Sequence, residues 1–135
     1  MKTIAEYKQM LAAEGLLASD NAETADFSQE VTDVSYNSLT VKPGTLFLCK
    51  GANFKEAYLA DALAKGACGY VAARDMNMGP DVPCLVTGDI RAAISKISAF
   101  YFDRSWDKGL KLIGLTGTKG KSTTATMIKA ILDLY

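Results

Sequence analysis

Apolar positions along this chain change their spacing several times, and each change marks an element. Ile4, Tyr7 and Leu11 recur at helical spacing, and Thr3 with Glu6 forms a capping box, so a helix is expected to start there and end at Gly15. Residues 18–30 are polar and read as irregular. Val31–Tyr36 reads as a short strand, Val41–Gly44 as a turn, and Thr45–Cys49 as an apolar strand buried on both faces. Asn53, three residues before Glu56, signals a second helix start. Tyr58, Leu59, Ala62 and Leu63 supply its apolar stripe, and Gly66 ends it. Gly69–Ala72 and Cys84–Val86 are further strands, with a loop from Met76 to Pro83 between them. Asp89 is placed to cap a third helix carrying Ile90, Ile94, Ile97 and Tyr101. The order strand, helix, strand, loop, strand, helix predicts an α/β layer with parallel strands.

The stretch Phe102–Lys108 breaks this rhythm and is read as a domain boundary, which makes residues 1–107 one domain and 108–135 the start of another. Leu110–Leu115 reads as a new strand, followed by a glycine-rich turn. A last helix is expected from about Lys121 to the end, with Met127, Ile128, Ile131 and Leu134 on one side. One strand and one helix do not make a domain, so the chain reads as a fragment that stops inside its second domain.

Composition narrows the class. At 135 residues and 14.4 kDa there is room for one modest core, burying about two-thirds of the unfolded chain's surface. Hydrophobic residues at 49% and charged residues at 22% exclude a disordered or collagen-like chain. No apolar run approaches the ~18 residues of a membrane span, and the opening MKTIAEYKQM lacks the apolar core of a secretory signal. With no histidine, histidine acid–base catalysis, Ser-His-Asp and Cys-His nucleophile systems, and most mixed zinc sites are excluded. Cys49, Cys68 and Cys84 lie in or beside apolar runs and form no C-x-x-C pair, so they read as small buried hydrophobes in a reducing compartment.

Net charge is zero but unevenly placed. Every charged residue between Lys8 and Lys42 is acidic (Glu14, Asp20, Glu23, Asp26, Glu30, Asp33), and every one between Asp107 and Asp133 is basic (Lys108, Lys111, Lys119, Lys121, Lys129). The lysine cluster suits a polyanionic ligand. Nucleic acid is disfavoured, because the chain has only three arginines and no interleaving of basic with aromatic residues.

The informative stretch is Gly114-Leu115-Thr116-Gly117-Thr118-Lys119-Gly120-Lys121-Ser122-Thr123, between the expected strand and the last helix. In that context its glycines let successive N–H groups converge on phosphate oxygens at a positive helix end. Lys121 can reach the outer phosphates as a point charge, and Ser122 can offer its hydroxyl to Mg²⁺. A strict Walker A loop has glycine five residues before Gly120; Leu115 occupies that place, and the glycine comes one residue earlier, at Gly114. The plain alternative is a glycine turn with an exposed lysine.

The pattern G-x-T-G-T-x-G-K-[ST]-[ST] resembles the ATP loop of the Mur ligases, which build the peptide of bacterial cell-wall precursors. Their usual asparagine between Thr118 and Gly120 is Lys119 here. Folylpolyglutamate synthases and cyanophycin synthetases carry related loops, so the loop alone points to a superfamily. Asp33–Ser38, followed by Val41–Phe47, is similar to the start of MurE-type ligases (UDP-N-acetylmuramoyl-tripeptide synthetases), which read D-S-R, a short turn and G-x-L/I-F. Asn37-Ser38-Leu39 stands at the D-S-R place, keeping the serine and losing its charged neighbours. Phe54–Val71, a helix then A-x-G-A-x-G-Y-V, also fits; the resemblance covers about residues 31–135 and is weak over 1–30.

The resemblance implies an α/β fold: a Rossmann-like UDP-binding domain with a small mixed or parallel sheet, then the first strand, P-loop and helix of an ATPase domain. It implies that Ser38 bonds the uridine-diphosphate portion of the substrate and that Lys50, Gly51, Ala52 and Asn53 line its uracil and ribose. From the residues alone, Ser38 is equally a turn serine and Asn53 a plain N-cap. The resemblance further implies that Gly117, Thr118, Lys119, Gly120, Lys121, Ser122 and Thr123 hold ATP, that Lys121 is catalytic and that Ser122 serves Mg²⁺. The parent enzyme would use ATP to join a diamino acid, L-lysine by a weak lean over meso-diaminopimelate, to UDP-MurNAc-L-Ala-D-Glu through an acyl phosphate. It is expected to be a cytoplasmic monomer that binds neither nucleic acid nor membrane. Its remaining metal ligands and its modified lysine are expected beyond Tyr135. The fragment alone is expected to be inactive. A MurF or folylpolyglutamate type ligase, or a non-catalytic UDP-sugar-binding module, are the alternatives.

Overall fold

Side chains of the strand β5 (Thr45–Leu48) alternate between two separate cores, and this alternation organises the N-terminal part of the molecule. Leu46 and Leu48 enter one core, and Phe47 and Cys49 enter the other. The neighbouring β6 (Gly69–Ala72) sends Val71 to the first and Tyr70 and Ala72 to the second. In β7 (Cys84–Thr87), Leu85 and Cys84 divide the same way. A sheet apolar on both faces must be covered on both. The helices α1 (Ile4–Ala13) and α3 (Ile90–Tyr101) cover the first face, with Ile4, Tyr7, Leu11, Ala93 and Ile97 buried there. The helix α2 (Glu56–Ala64) covers the second with Leu59 and Ala62.

The computed structural model describes residues 1–103, 109 and 113–134. The chain divides into two compact units, Met1–Arg104 and Ser105–Tyr135. In the first unit a five-stranded sheet has the order β2–β7–β6–β5–β4, where β2 is Leu17–Asp20 and β4 is Asp33–Ser35. The strands β4, β5, β6 and β7 are mutually parallel, and β2 runs antiparallel along β7 with a register shift between Leu17 and Ser19. A separate antiparallel ribbon joins β1 (Lys2–Thr3) to β3 (Glu30–Val31).

Several local signals act as expected. Thr3 and Glu6 form both bonds of the capping box, Asp89 accepts from the Ala92 N–H at 3.0 Å, and Gly66 follows α2 with φ +96°. Others do not. The expected single strand Val31–Tyr36 is two short strands broken at Thr32. That residue's N–H donates to the Gly44 carbonyl (3.0 Å), its Oγ1 donates to the Pro43 carbonyl (2.9 Å), and its own carbonyl accepts from the Tyr101 hydroxyl (3.1 Å). Gly44 must be glycine at this junction: its φ is +84°, and a Cβ would stand 2.6 Å from Thr32 Oγ1.

Asn53 does not cap α2. The helix starts at Glu56 behind an extended Lys55 that makes no side-chain cap bond, because residues 51–54 are taken up in a turn closed by the Phe54 N–H on the Gly51 carbonyl (3.1 Å). Tyr58, expected in the apolar stripe of α2, is 43% exposed. The strand β2 begins at Leu17 and runs into residues 18–30, the stretch read as irregular; it is an edge strand with only polar and small residues after Leu17, which leaves no alternating signal.

In the second unit, α4 spans Lys121–Leu132. Of the strand expected at 110–115, residues 110–112 lie outside the described set and 113–115 belong to no regular element. Met127, Ile131 and Leu134 on α4 and just past it are exposed, and Ile128 is half-buried. Among the described residues, no helix is long and apolar enough to cross a membrane.

Tyr7 carries the single buried side-chain polar atom without a hydrogen-bond partner among the described residues. Its ring packs edge-on against Phe100 at 5.0 Å, and burial raises the phenol's pKa. A hydroxyl desolvated without a partner costs stability. Tyr7→Phe is therefore expected to leave the melting temperature unchanged or raise it. Gly69→Ala should lower stability by about 1–3 kcal/mol, since a Cβ there would meet the Pro83 carbonyl oxygen at 2.8 Å. Thermal and chemical denaturation of the two variants check both.

Candidate functional site

Four parallel strands end at one edge of the sheet, so the segments that follow β4, β5, β6 and β7 all leave from that edge. Open α/β sheets bind ligands outside this carboxyl edge. The segments carry Tyr36–Thr40, Cys49–Lys55, Ala73–Asp75 and Gly88–Asp89.

The first of these is tightly organised. Ser35 Oγ accepts from the Asn37 N–H at 3.0 Å and lies 2.9 Å from Thr40 Oγ1. Asn37 Oδ1 accepts from the Leu39 N–H at 3.0 Å and so caps the 3₁₀ turn Ser38–Thr40. Ser38 is buried. Its carbonyl accepts from Lys65 Nζ at 2.9 Å. The Asp61 carboxyl is held below its ordinary pKa, chiefly by its bond from Lys65 at 2.7 Å and also by the Ser38 hydroxyl. Ser38 thus ties the turn to α2.

The second segment carries the remaining expected residues. Lys50 places its ammonium 4.7 Å from the centre of the Tyr36 ring, which joins the two segments. Gly51, Ala52 and Asn53 are exposed, and Gly51 takes φ +104°. Beyond β6, Arg74 pairs with Glu56 at the start of α2 (2.7 Å). The structure therefore brings Lys50 beside the turn that holds Ser38, and sets Gly51–Asn53 in the adjoining turn. Tyr36 lies between the end of β4 and the Asn37 cap, and its contact with Lys50 has no local mark in the sequence.

The three cysteines are free and buried. Burial pushes the Cys49 thiol up to about 12 and the Cys68 thiol up to about 11, and it raises Cys84 as well, so none is a thiolate nucleophile at neutral pH. Among the described residues no His, Cys, Asp and Glu side chains cluster as metal ligands.

In the second unit, Gly114–Thr123 winds into α4. Gly117 (φ +143°) and Gly120 (φ +78°) adopt backbone that side chains disfavour, and Gly120 is the N-cap with no side-chain cap bond. The Thr124 N–H donates to the Gly120 carbonyl at 2.9 Å, closing the first helical turn. Lys119, Lys121, Ser122 and Thr123 are exposed around this helix start, where amides and dipole favour an anion.

Protein-family models give no match to the chain. Curated proteins do. Over 106 residues the chain is 45% identical to the UDP-N-acetylmuramoyl-L-alanyl-D-glutamate--L-lysine ligase of Enterococcus faecalis, covering 78% of this chain and 20% of that protein. It is 45% identical over 101 residues to a UDP-N-acetylmuramyl-tripeptide synthetase of Limosilactobacillus reuteri, covering 75% and 19%. The corresponding 2,6-diaminopimelate ligase of Syntrophomonas wolfei is 36% identical over 107 residues, covering 78% and 22%. Among solved structures, MurF from Acinetobacter baumannii superposes with a TM-score of 0.70 and 26% identity, covering 94% of this chain and 27% of that one. The chain spans about a fifth of the length of the curated relatives it matches.

By these likenesses the chain belongs to the Mur ligase family. Within that family the chain belongs with the MurE-type UDP-N-acetylmuramoyl-tripeptide synthetases.

The turn after β4 owes its shape to the Asn37 cap. Asn37→Ala should cost about 0.5–2 kcal/mol, the usual range for a lost side-chain cap. Urea unfolding of the variant checks this.

Proposed function

We propose that the chain supplies the UDP-substrate unit and the ATP loop of a cytoplasmic MurE-type ligase. The enzyme would use ATP to join a diamino acid to UDP-MurNAc-L-Ala-D-Glu. The observation that carries the reading is the Gly117–Ser122 loop opening α4 behind an N-cap with no side chain of its own. A phosphate group suits that place, since the helix's first amides are not claimed by a capping side chain.

In this reading residues 1–107 form the UDP-substrate domain and residues 108–135 the start of the ATP-binding domain. Gly117 and Gly120 let the loop backbone turn its amides toward the phosphates. Thr118, Lys119 and Thr123 flank the chain of phosphates. Lys121 meets the charge that develops as the γ-phosphoryl group passes to the D-glutamate carboxylate, giving an acyl phosphate and ADP. The incoming amine then displaces phosphate to form the amide. Ser122, exposed in the first turn of α4, presents a hydroxyl suited to Mg²⁺; the ion supplies charge neutralisation on the phosphates.

Lys50, Gly51, Ala52 and Asn53 line the UDP end of the substrate at the carboxyl edge. Ser38 serves the diphosphate portion from the turn that it ties to α2. L-lysine is the favoured amino acid, because L-lysine ligases stand at 40–45% identity and the diaminopimelate ligase at 36%. The enzyme is expected to act as a monomer.

Two measurements test the reading. Calorimetry should find that the chain binds UDP more tightly than ADP, because the α/β unit is built up around its sheet whereas the loop and α4 stand exposed; a folded chain that ignores UDP would remove the substrate assignment. In the full-length ligase, Lys121→Ala should lower kcat by at least about 10²-fold, the scale of losing one preorganised charge stabiliser, with folding intact. Near-normal turnover would sink the role of the loop.

A further inference from the structure

A cavity of about 590 Å³ lies where the β1–β3 ribbon meets the end of α3. That volume is ordinary for a small-molecule site. Tyr7 and Val31, both buried, stand on its inner side, and Met1 and Phe102, 81% and 60% exposed, stand at its mouth. None of its walls belongs to the segments that leave the carboxyl edge or to the glycine-lysine loop.

Most polar groups of the wall are committed. Thr32 gives its N–H and its hydroxyl to Gly44 and Pro43, and its carbonyl accepts from the Tyr101 hydroxyl. Lys2 pairs with Asp103. The Tyr7 hydroxyl is the exception, buried with no hydrogen-bond partner among the described residues. Its pKa is raised by burial first and then by Tyr101 and Asp103, which sets the hydroxyl near two other wall residues and keeps it protonated at neutral pH. A phenylalanine would fill the same space without desolvating a donor. A ligand that accepts a bond from the hydroxyl offsets that cost.

The walls also define the ligand. Tyr7, Tyr101 and Phe102 supply aromatic surface, with Tyr101 and Phe102 edge-on at 4.9 Å, and such surface suits a flat apolar body. The charged side chains of the wall, Lys2 and Asp103, pair with each other, so an ionic ligand would be desolvated without a counter-charge. Both are partly exposed, and a surface pair of this kind contributes little, so it can part to admit a ligand.

We infer that this cavity is a ligand site separate from the carboxyl edge and the loop, taking a neutral planar aromatic molecule with one hydrogen-bond acceptor, to which the Tyr7 hydroxyl donates while Tyr101 and Phe102 flank the ring.

Acetophenone has a flat ring and one carbonyl, and toluene has the same ring without an acceptor. NMR titration of each into the chain and into Tyr7→Phe and Phe102→Ala tests the inference. Acetophenone should shift the amide signals of Lys2, Tyr7, Val31, Thr32 and Tyr101 and leave those of Lys50–Asn53 in place. Tyr7→Phe should weaken acetophenone by about fivefold, the scale of one hydrogen bond, and leave toluene within about twofold. Phe102→Ala, a change at an exposed position that leaves the core untouched, should weaken both probes alike. Acetophenone that shifts none of the cavity signals at its solubility limit would overturn the inference. So would a Tyr7→Phe chain that binds acetophenone as tightly as the unmodified chain, or one that loses toluene and acetophenone equally.

Discussion

Burial of both faces of β5 and β6 is the constraint on which the rest of the first unit depends. Each of the two strands is four residues long and buried throughout. Fully buried side chains of this kind, such as Leu46, Val71 and Leu85, each contribute about 1.5–3 kcal/mol. That return is available only if helices cover both faces. Parallel strands also need crossovers that carry the chain back across the sheet, and α2 is at once the crossover between β5 and β6 and the cover of one face. Parallel order then sends the end of every such strand to one edge. The site edge is thus a product of the same packing demand: the Tyr36 turn and the Lys50 segment meet because β4 and β5 run side by side in register, with Ser35 opposite Phe47.

Legibility in the sequence followed the strength of this demand. The strands buried on both faces were readable as apolar runs, and α1 and α3 as stripes behind Thr3 and Asp89, because local capping and core packing agree there. Elements held by edge pairing were not. β2 exists because β7 offers it a ladder, and its residues after Leu17 carry no pattern of their own. The break at Thr32 arises from bonds to Gly44, Pro43 and Tyr101, all distant in sequence. Asn53 was misread as a cap because the spacing to Glu56 satisfies the motif, whereas the turn at Gly51–Phe54 displaces the helix start.

The candidate site divides along the same line. The glycine-lysine loop was readable because its chemistry is backbone chemistry: it needs glycines where φ is positive and a helix immediately after, and both are marks on the sequence. At the carboxyl edge the relevant fact is a contact between residues fourteen positions apart, Tyr36 and Lys50, made by neighbouring strand ends. No local pattern announces such a pair. For the same reason the contacts of Ser38 with Asp61 and Lys65 of the α2 region carry no local mark in the sequence.

The two edges of this chemistry answer one electrostatic problem in different ways. In a chain of zero net charge, cations left free to attract an anion require acids that are neutralised elsewhere. Acids of the 14–33 stretch are partly neutralised within the first unit: Glu14 pairs with Lys96 at 2.9 Å and Asp20 with Lys8 at 3.0 Å. In the second unit Lys129 pairs with Asp133, at the far end of α4 from the loop. Lys119 and Lys121 stand at the start of α4, where the helix dipole adds to their charge, so that few side chains are needed to attract phosphate. The carboxyl edge has no comparable run of lysines; there the Lys50 ammonium stands over the Tyr36 ring. Charge exposed at the loop is screened by salt, whereas apolar packing in the sheet is not.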